Sequence, residues 1–408
     1  MNMNTGTIAY LCSEYPAVSH TFIHREIESL RQCGMTVHTA TIRNPAHVEV
    51  MTKAEQEEAD RTLKVLSQPV RKIVKAHLHC IRQHPAGYLR MAAAASRLLF
   101  TGPKSPVKAG AYFMEAGILL EWLHRIGVTH LHEHFANPTA IVAMLMQQYG
   151  GVTYSTSVHG PDIFYSVDSS MLAEKIRNAR FVRCISHYCQ SQIMRISEAQ
   201  EWKKLHIVRC GVDPELFDAR PEPGNEVPEI LCVGRLVPAK GQHILLQACR
   251  QLRQEGLKFH LTFVGDGPDR RSLEQFVSGN DLESTVTFTG ALGQDRVRRH
   301  YDRADLFVLA SFAEGVPVVL MEAMAKEIAV VSTRITGIPE LIEHEEDGLL
   351  ARPGDAEDLA GKIRMLLQDA GLRQKLGRAG REKVAAQYNQ HRNNADMAHL
   401  FNQATHVS

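Results

Sequence analysis

The sequence predicts an α/β protein built from two doubly wound, Rossmann-like domains that face each other across a cleft. The first observation is length, because 408 residues exceed what one ordinary domain holds. The second is that strand-like runs alternate with helical patterns in two blocks, which is typical of parallel sheets covered on both faces. The third is the stretch DARPEPGNEVPE, whose proline and charge content predicts a linker between the blocks.

The linker sets the predicted domain boundaries. The first domain covers 1–219 and carries a long, basic helical insertion at about 52–126. The second domain covers 220–385. The helix predicted within 386–408 is expected to pack back towards the first domain.

The first block opens with TIAYLCSE, an apolar run predicted to be a buried strand. The segment SHTFIHREIESLRQCG follows as a helix, which Gly34 is predicted to end. Its apolar face consists of Phe22, Ile23, Ile27 and Leu30. The later elements are the strand MTVHTATIR, the insertion, the strand VTHLHEHF, the helix PTAIVAMLMQQYG, the strand VTYSTSVHG, the helix MLAEKIRNA and the strands RFVRCIS and LHIVRCGVD.

The second block repeats this scheme with shorter units. It begins with the strand EILCVGRL and the helix QHILLQACRQLRQEG. The strand KFHLTFVGDG and the helix RRSLEQFV follow, and then the strands TVTFTG, DLFVLAS and IAVVSTRI, separated by helices. Both blocks therefore predict parallel sheets, whose ligands bind beyond the carboxyl ends of the strands.

Composition excludes several classes of protein. The 46 basic and 45 acidic residues nearly cancel, so the chain is not a nucleic-acid-binding polycation. Its 8 cysteines form no CxxC pair, which favours reduced thiols in a cytoplasmic protein over a disulfide framework or a zinc site. The N-terminal residues lack the features of a signal peptide, and no apolar run is long enough to span a membrane.

Charged side chains and glycines follow the predicted strands at the points where ligands bind. Arg235 and Lys240 come after ILCVG, and Gly267 lies in the turn after LTFVG. In the first block, His159 and Asp162 follow TYSTSV. The sequence therefore predicts a cleft lined by two cations, close-approach glycines and a few carboxylates.

The stretch FAEGVPVVLMEAMA places Glu314 and Glu322 on either side of a turn and a helix start. Pro317 suits the first turn of a helix, and Gly315 allows a ligand to approach the backbone. A helix N-terminus contributes only about 0.3–2 kcal/mol to anion binding, whereas two charges about 4 Å apart contribute about 4 kcal/mol. A diphosphate would thus depend mainly on the two cations, while the glutamates accept hydrogen bonds from hydroxyls beyond its ends. Hydroxyls on both sides of a diphosphate describe a nucleotide-sugar.

The motifs resemble those of the retaining glycosyltransferases of family 4, which have the two-domain GT-B architecture. The matching stretches are EGVPVVLME, VGRLVPAKG, VGDGP, STRITGIPELIEHEEDGLLARPGD and SVHGPDIF, in family order along almost the whole chain. More narrowly, the chain resembles bacterial exopolysaccharide transferases of the colanic-acid type. Those enzymes usually have Ser-Glu-Thr where this chain has Ser19-His20-Thr21, a departure on the acceptor side.

The resemblance implies that the second domain binds a UDP- or GDP-sugar. Arg235 and Lys240 would bind the diphosphate and stabilise the leaving phosphate, and Glu322 would hold the ribose. Glu314 would contact the donor sugar as a binding and electrostatic group rather than a nucleophile. The implied donor-binding set is Arg235, Lys240, Gly267, Glu314, Gly315, Val316, Pro317, Val318 and Glu322.

The resemblance assigns the acceptor to the first domain. His159 would lie near the reacting sugar and completes the implied catalytic set with Glu314, Arg235 and Lys240. Asp162 lies beside His159 in the sequence, and Ser19 and Thr21 fall in the first strand–helix loop, where acceptors approach in this family. The acceptor would be a growing oligosaccharide or a lipid-linked glycan. The chain contains no Asp-x-Asp motif, so no metal or other cofactor is expected.

The segment 61–114 is unusual because it contains no acidic residue. Its cations are Arg61, Lys64, Arg71, Lys72, Lys75, Arg82, Arg90, Arg97, Lys104 and Lys108. Apolar residues are interleaved at near-helical spacing, as in helices that lie on anionic membranes. One interpretation is peripheral contact with the cytoplasmic face of the inner membrane. The other is a solvated insertion whose apolar face packs on its own domain.

Two further functions remain open from the residues. A nucleotide-sugar epimerase or another non-transferring GT-B enzyme would act on the donor without an acceptor. A nicotinamide-dependent oxidoreductase would require G-x-G-x-x-G after the first strand, and CSEYPAVSH has no glycine there. An isolated E-x7-E pair is more often two surface glutamates, and the Gly-Val-Pro context favours a site here.

Overall fold

The computed structural model describes residues 6–17, 21–46, 48, 51–100, 105–164, 171–213, 215–218 and 225–405. The chain divides into two compact units, the first formed by 1–208 with 394–408 and the second by 209–393. The unit boundary lies at 208/209, earlier than the predicted 219/220. One reason is that Val212 pairs with Asn389 and Phe217 packs against Tyr301, contacts that tie this stretch to the second unit.

The first unit contains an all-parallel sheet with helices along the chain between its strands. The strands are β1 (Thr7–Glu14), β2 (Thr36–Arg43), β3 (Leu63–Lys64), β4 (His130–His134), β5 (Thr153–Val158), β6 (Val182–Cys184) and β7 (Leu205–Ile207). The helices are α1 (Thr21–Gln32), α2 (Lys53–Arg61), α3 (Val70–Gln83), α4 (Pro85–Arg97), α5 (Ser105–Ile126), α6 (Pro138–Tyr149), α7 (Pro161–Phe164), α8 (Leu172–Asn178) and α9 (His187–Ile196). The strand order is β3-β2-β1-β4-β5-β6-β7, so it reverses between β1 and β4.

The second unit repeats this architecture. Its strands are β8 (Glu229–Val233), β9 (His260–Val264), β10 (Val286–Phe288), β11 (Leu306–Leu309), β12 (Ala329–Thr333) and β13 (Leu349–Ala351). Its helices are α10 (Gln242–Gln254), α11 (Arg270–Ser278), α12 (Gln294–Arg303), α13 (Val318–Ala325), α14 (Ile338–Leu341), α15 (Ala356–Gln368) and α16 (Ala370–Gln387). The parallel strands are ordered β10-β9-β8-β11-β12-β13, with the reversal between β8 and β11.

The last described helix, α17 (Gln390–Thr405), begins in the second unit and ends in the first. Within the first unit, the ring of Phe401 lies 5.1 Å from that of His132 and 5.7 Å from that of Phe181. The C-terminal residues therefore complete the core of the N-terminal sheet.

The prediction of two doubly wound α/β domains is confirmed by the two sheets. It succeeds because hydrophobic periodicity is a local property of each helix and strand. Gly34 ends α1 at φ 88°, where the left-handed conformation favours glycine. All residues of β11 and β12 are buried, as expected for strands covered on both faces.

Some elements differ from the prediction. The insertion at 52–126 is not continuously helical, because β3 adds a short strand to the sheet edge between α2 and α3. Neither β13 nor α9 was predicted. The strand β13 has three residues, too few to show a period, and it lies inside a stretch assigned as a motif. Among the described residues, no helix combines the length and the apolar content that crossing a bilayer requires.

A pair of helical glycines tests the packing of the second unit. A Cβ on Gly377 in α16 would lie 2.1 Å from the carbonyl oxygen of Glu327, whereas a Cβ on Gly361 in α15 would meet nothing closer than 4.0 Å. We expect Gly377→Ala to destabilise the unit by about 1–3 kcal/mol, because the backbone must shift. We expect Gly361→Ala to stabilise it by about 0.5–1 kcal/mol through helix propensity. Thermal unfolding of the two variants measures both, and shifts of the same sign would contradict the packing described.

Candidate active site

The candidate donor site lies in the second unit, where the strand order reverses between β8 and β11. Loops that leave adjacent strands at such a reversal diverge and open a crevice beyond the carboxyl ends. Lys240 comes from the loop after β8, and Glu314 from the loop after β11. The structure joins these two predicted residues directly.

Lys240 and Glu314 form an ion pair that a hydroxyl completes. Nζ of Lys240 lies 2.5 Å from Oε1 of Glu314, and Oγ of Ser311 donates to the same oxygen at 2.7 Å. The lysine side chain is 21% exposed and the glutamate side chain 10% exposed. The pair is therefore shielded from bulk water on the protein side but still open to a ligand.

The backbone holds Lys240 in place through a close contact between two loops. Pro238–Lys240 forms one turn of 3₁₀ helix, and Gly241 follows at φ 61°. A Cβ on Gly241 would lie 2.0 Å from the carbonyl oxygen of Ala310. In addition, the N–H of Phe312 donates to the carbonyl of Ala239 at 2.8 Å. Only glycine fits here, and this contact locks the loop after β8 onto the loop after β11.

Gly267 makes a second close contact between loops. A Cβ at this position would lie 2.2 Å from the carbonyl oxygen of Leu236, which accepts a hydrogen bond from the N–H of Asp269 at 3.1 Å. The requirement for glycine thus has a structural cause within the unit, and the donor-binding role of Gly267 stays a prediction. Arg235 lies between these contacts with an exposed side chain, and its carbonyl accepts from the side chain of Gln242 at 2.8 Å.

Helix α13 begins at Val318, and Pro317 caps it in an extended conformation. Pro317 was expected in the first turn, so it lies one residue earlier than predicted. The loop 314–317 is held by the loop after β12, because Oγ1 of Thr336 donates to the carbonyl of Glu314. Gly337 also approaches this loop, and a Cβ there would lie 2.4 Å from the carbonyl oxygen of Gly315.

Glu322 lies on the second turn of α13, as predicted, and is buried. The hydroxyl of Tyr301 on α12 donates to Oε2 of Glu322 at 3.0 Å. The tyrosine is fully buried and packs against Phe217 and Phe307. Tyr301 therefore orients the carboxylate that the sequence assigns to a ribose.

The first unit places His159 at the carboxyl end of β5, where it is 6% exposed. Its Nε2 lies 2.9 Å from Nδ1 of His134, at the end of the neighbouring strand β4. The rings of Phe22 and Phe135 lie 5.1 and 4.8 Å from the His159 ring. Packing thus fixes the imidazole that sequence analysis placed near the reacting sugar.

On its other side, His134 contacts the carboxylate of a buried ion pair. Its Nε2 lies 3.4 Å from Oε1 of Glu26 on α1, and Oε2 of Glu26 pairs with the guanidinium of Arg183 on β6. Burial alone would raise the pKa of Glu26, but the charge of Arg183 holds it well below its usual range. Tyr10 donates to Oε1 of the same carboxylate at 2.8 Å.

His132 and His130 lie on the same face of β4 as His134, and both are buried. The ring nitrogens of His132 contact Oγ of Ser155 at 2.7 Å and Oγ of Ser157 at 2.8 Å. Burial lowers the pKa of His130 to about 3, so it is neutral. These histidines therefore belong to a polar layer inside the sheet.

Glu26, His132 and His134 offer ligand atoms within 4.8 Å of one another. A metal ion would have to displace Arg183 and Tyr10 from the carboxylate and the serines from His132. These residues do not fit a metal site as they are arranged. The prediction that no metal is required remains a prediction.

The predicted acceptor-side residues are described only in part. Thr21 begins α1 and is half-buried. Ser19 lies outside the described residues. Asp162 falls in α7, and its side chain is outside the described part of the chain.

Sequence reasoning missed several residues that position the site. Tyr301 and Ser311 belong to no motif, Thr336 lies in a matching stretch but was given no role, and each acts through a contact made only in the fold. Arg183 did carry a signal, because RFVRCIS places a cation inside a strand predicted to be buried. A charge in such a strand requires a partner, and here the partner is Glu26.

Comparisons with known proteins show the family of this chain. Residues 214–383 match the family model described as glycosyl transferases group 1. The amylovoran biosynthesis glycosyltransferase AmsK of Erwinia amylovora is 39% identical over 196 residues, which cover 46% of this chain and 48% of AmsK. The putative colanic acid biosynthesis glycosyltransferase WcaL of Escherichia coli K12 is 33% identical over 285 residues, 66% of this chain and 69% of WcaL.

Solved structures show the same fold over nearly the whole chain. Sucrose-phosphate synthase from Thermosynechococcus elongatus superposes with a TM-score of 0.78 at 21% identity, covering 98% of this chain and 100% of that one. HepE of Anabaena in complex with UDP-glucose gives a TM-score of 0.76 at 17% identity, and the match covers 97% of this chain and 99% of HepE. These likenesses show the GT-B fold, and the relationship to WcaL shows the family. The chain is a GT-B enzyme and belongs to the group 1 glycosyl transferases.

Proposed function

We propose that this enzyme transfers a hexose, with retention of configuration, from a UDP- or GDP-sugar to a growing oligosaccharide of a bacterial exopolysaccharide or cell surface. The observation that carries the donor half is the Lys240–Glu314 pair at the strand-order reversal of the second sheet. The pathway is inferred from the printed names of AmsK and WcaL. The alignments span about half of AmsK and about two thirds of WcaL, so acceptor and linkage are assigned by class only.

The ion pair suggests how the donor is engaged. Without donor, the single negative charge of Glu314 neutralises Lys240. A diphosphate carries at least two charges, and each contributes about 4 kcal/mol at about 4 Å and an effective dielectric near 20. The diphosphate therefore competes successfully for Lys240, with Arg235 as the second cation. Glu314 is then released to accept hydrogen bonds from the hydroxyls of the donor sugar.

The reaction requires charge stabilisation at the leaving group. The bond between the anomeric carbon and the β-phosphate oxygen breaks, and the acceptor oxygen bonds to the same face of that carbon. The acceptor proton passes to the released phosphate oxygen, so no protein nucleophile is needed. Negative charge grows on the β-phosphate as the bond breaks, where Lys240 and Arg235 would stabilise it more than in the ground state.

The donor's ribose is assigned to Glu322. Its carboxylate is held by Tyr301 and lies one helical turn beyond the loop that carries Glu314. A carboxylate accepts hydrogen bonds from vicinal hydroxyls, and a prepositioned one loses little entropy on binding.

We assign helix α3 to an anionic membrane surface, which would bring the enzyme to a lipid-linked acceptor. Val70, Val74, Leu78 and Ile81 form a stripe along α3, and their side chains are 39–74% exposed. The helix packs on its own unit through its other face, where Ala76 and Cys80 are buried. The apolar stripe is thus not covered by the domain's own described residues. Exposed cations flank the stripe at Arg71, Lys72, Lys75 and Arg82.

Charge complementarity favours lipid as the occupant of this face. The segment 61–114 has ten cations and no acidic residue, so an anionic surface attracts it without local repulsion. Each cation near such a surface contributes about 1 kcal/mol. The apolar side chains between them can enter the headgroup region.

Removing either cation tests the donor site. We expect Lys240→Ala and Arg235→Ala to reduce transfer of a labelled sugar at least ~100-fold, because each loses several kcal/mol of phosphate stabilisation. Arg253→Ala removes an exposed cation at the far end of α10 and serves as the matched control. Wild-type turnover in both site variants would overturn the diphosphate assignment. Product that forms without added acceptor would instead indicate a hydrolase or an epimerase.

Ribose recognition is tested by Glu322→Ala and Tyr301→Phe. We expect the first to raise the donor dissociation constant by about 10-fold, in line with the ~1.5–3 kcal/mol of a hydrogen bond to a charged group. The second keeps the carboxylate and should raise it less. Thermal-shift titration with UDP and GDP measures both, since ligand at about 100 times its dissociation constant stabilises by about 2.7 kcal/mol. An unchanged affinity in Glu322→Ala would refute this assignment.

Membrane contact is tested by co-sedimentation with vesicles containing phosphatidylglycerol at low salt. Lys72→Gln/Lys75→Gln should weaken binding roughly 30-fold, as expected for two cations of about 1 kcal/mol each. Val74→Ser/Leu78→Ser should also weaken it. The control Leu216→Ser/Met365→Ser removes similarly exposed apolar side chains from the second unit and should bind normally. Wild-type protein that stays in the supernatant would contradict the proposal.

A further inference from the structure

A short stretch of chain, 215–218, packs against the tyrosine that supports the carboxylate assigned to the ribose. The stretch comes after the last strand of the first unit but belongs to the second unit. Phe217 is only 1% exposed, and its ring lies edge-on to the ring of Tyr301, with 6.2 Å between the ring centres. Edge-to-face pairs of this kind have a preferred geometry, so Phe217 helps to fix where the tyrosine ring lies.

Tyr301 links Phe217 to the candidate site. Its ring also stacks on that of Phe307, with 5.8 Å between the centres. Its hydroxyl oxygen lies 3.0 Å from Oε2 of Glu322 and 3.3 Å from the carbonyl oxygen of Val319, both on α13. A hydroxyl has one hydrogen to donate, so these two acceptors compete for it. The position of the ring therefore determines how well the carboxylate is held.

Arg381 on α16 joins the same stretch to the helix that carries Glu322. Its Nη1 donates to the carbonyl of Phe217 at 2.9 Å and also to the carbonyl of Ala325. Ala325 is the last residue of α13, where a helix cannot satisfy its own carbonyl groups and where a cation is favourable. One guanidinium thus fixes the backbone at Phe217 relative to the end of α13.

Filling of the main core does not explain this arrangement. Phe217, Tyr301 and Phe307 are buried, yet they lie outside the apolar cluster of the second unit that contains Phe263. They form a separate aromatic group, and the polar atom of this group is the Tyr301 hydroxyl. The group therefore acts on α13 through a hydrogen bond to a carboxylate as well as through packing.

We propose that Phe217 and Arg381 are positioning residues for nucleotide recognition, which hold Tyr301 and α13 so that Glu322 accepts hydrogen bonds from the ribose hydroxyls. The inference rests on the ribose assignment in the function proposed above. A site built to bind a hydroxyl rejects the analogue that lacks it. The enzyme therefore distinguishes ribonucleotides from 2′-deoxyribonucleotides, and this discrimination depends on a stretch outside the donor motifs.

Calorimetric titration of the full-length enzyme measures the discrimination directly. UDP, GDP, 2′-deoxy-UDP and 2′-deoxy-GDP are compared at a temperature well below unfolding. We expect the wild type to bind the preferred ribonucleotide about tenfold or more tightly than its 2′-deoxy counterpart, as one hydrogen bond to a charged group predicts.

Two substitutions remove the supports without touching Tyr301 or Glu322. Phe217→Leu keeps an apolar side chain but loses the ring edge, and Arg381→Met loses both hydrogen bonds to carbonyl groups. We expect each variant to reduce the ratio of the two dissociation constants to about threefold or less. The loss should come from weaker binding of the ribonucleotide, because the 2′-deoxy nucleotide lacks the hydroxyl that Glu322 would recognise.

Matched controls remove the same kinds of contact elsewhere in the second unit. Phe263 is fully buried and stacks on Phe288 with 5.1 Å between the ring centres. Arg373 donates to the carbonyls of Leu366 and Leu367, at 2.7 and 3.3 Å, in the last turn of α15. Phe263→Leu and Arg373→Met should lower the unfolding temperature as the site variants do, but should keep the wild-type ratio.

The possible results separate positioning from stability. A wild-type ratio in Phe217→Leu and Arg381→Met, or an equal loss of the ratio in the controls, would show that the two residues serve stability alone. Wild-type enzyme that binds UDP or GDP without discrimination would overturn the positioning but leave donor binding and transfer intact. Binding of neither nucleotide would refute the donor assignment and this inference with it.

Transfer kinetics give a second readout. We expect Phe217→Leu and Arg381→Met to raise the KM for the nucleotide-sugar several-fold with little change in kcat, since the ribose is bound equally in the ground state and the transition state. A lower kcat at unchanged donor KM would contradict a role in ribose recognition.

Discussion

The ion pair between Lys240 and Glu314 links the sequence motifs of the second unit to its fold. The two residues are 74 positions apart and meet only because the strand order reverses between β8 and β11. In the absence of a diphosphate each satisfies the other's charge, so neither has to be left as an isolated charge in a partly shielded crevice. A more highly charged ligand can replace this contact. The Lys240–Glu314 pair itself is therefore neutral and ordered, and under the proposed function the donor diphosphate would replace it.

Glycines set the distances within this site through the backbone. Gly241 and Gly267 each approach a carbonyl oxygen of a neighbouring loop so closely that a Cβ would lie 2.0–2.2 Å from it. The loops after β8, β9 and β11 are thereby packed onto one another rather than left as independent turns. The glycines of motifs such as VGDGP and PAKG are thus required by packing within the unit, and this requirement does not depend on contact with a ligand. Rigid loops of this kind keep Lys240 within reach of Glu314 at little entropic cost on binding.

The sequence predicted most of the fold, because hydrophobic periodicity and turn residues are local properties. It also placed Arg235, Lys240 and Glu314 correctly at strand ends, since parallel sheets bring those ends to one edge. It could not predict which side chains pair. The contacts of Tyr301 with Glu322 and of Arg183 with Glu26 span 21 and 157 residues, and they depend on how helices dock on the sheet. The division of the units at 208/209 also depends on long-range contacts, because residues near the C-terminal end of the second unit hold the stretch after β7.

The two sheets share one topology but differ in their interiors, and the difference bears on function. In the second unit, β11 is entirely apolar, and polar groups gather mainly at the strand ends. In the first unit, His130, His132 and His134 run along one face of β4, and His130 and His132 contact hydroxyls of β5. Each buried polar group must find a partner to offset its loss of water, and an apolar layer would not carry that cost. A polar layer that runs to the strand end where His159 lies gives that residue a hydrogen-bonded support that an apolar core cannot provide. The interior of the first sheet thus differs from that of the second in that its buried histidines reach the imidazole of His159 through a side-chain hydrogen bond.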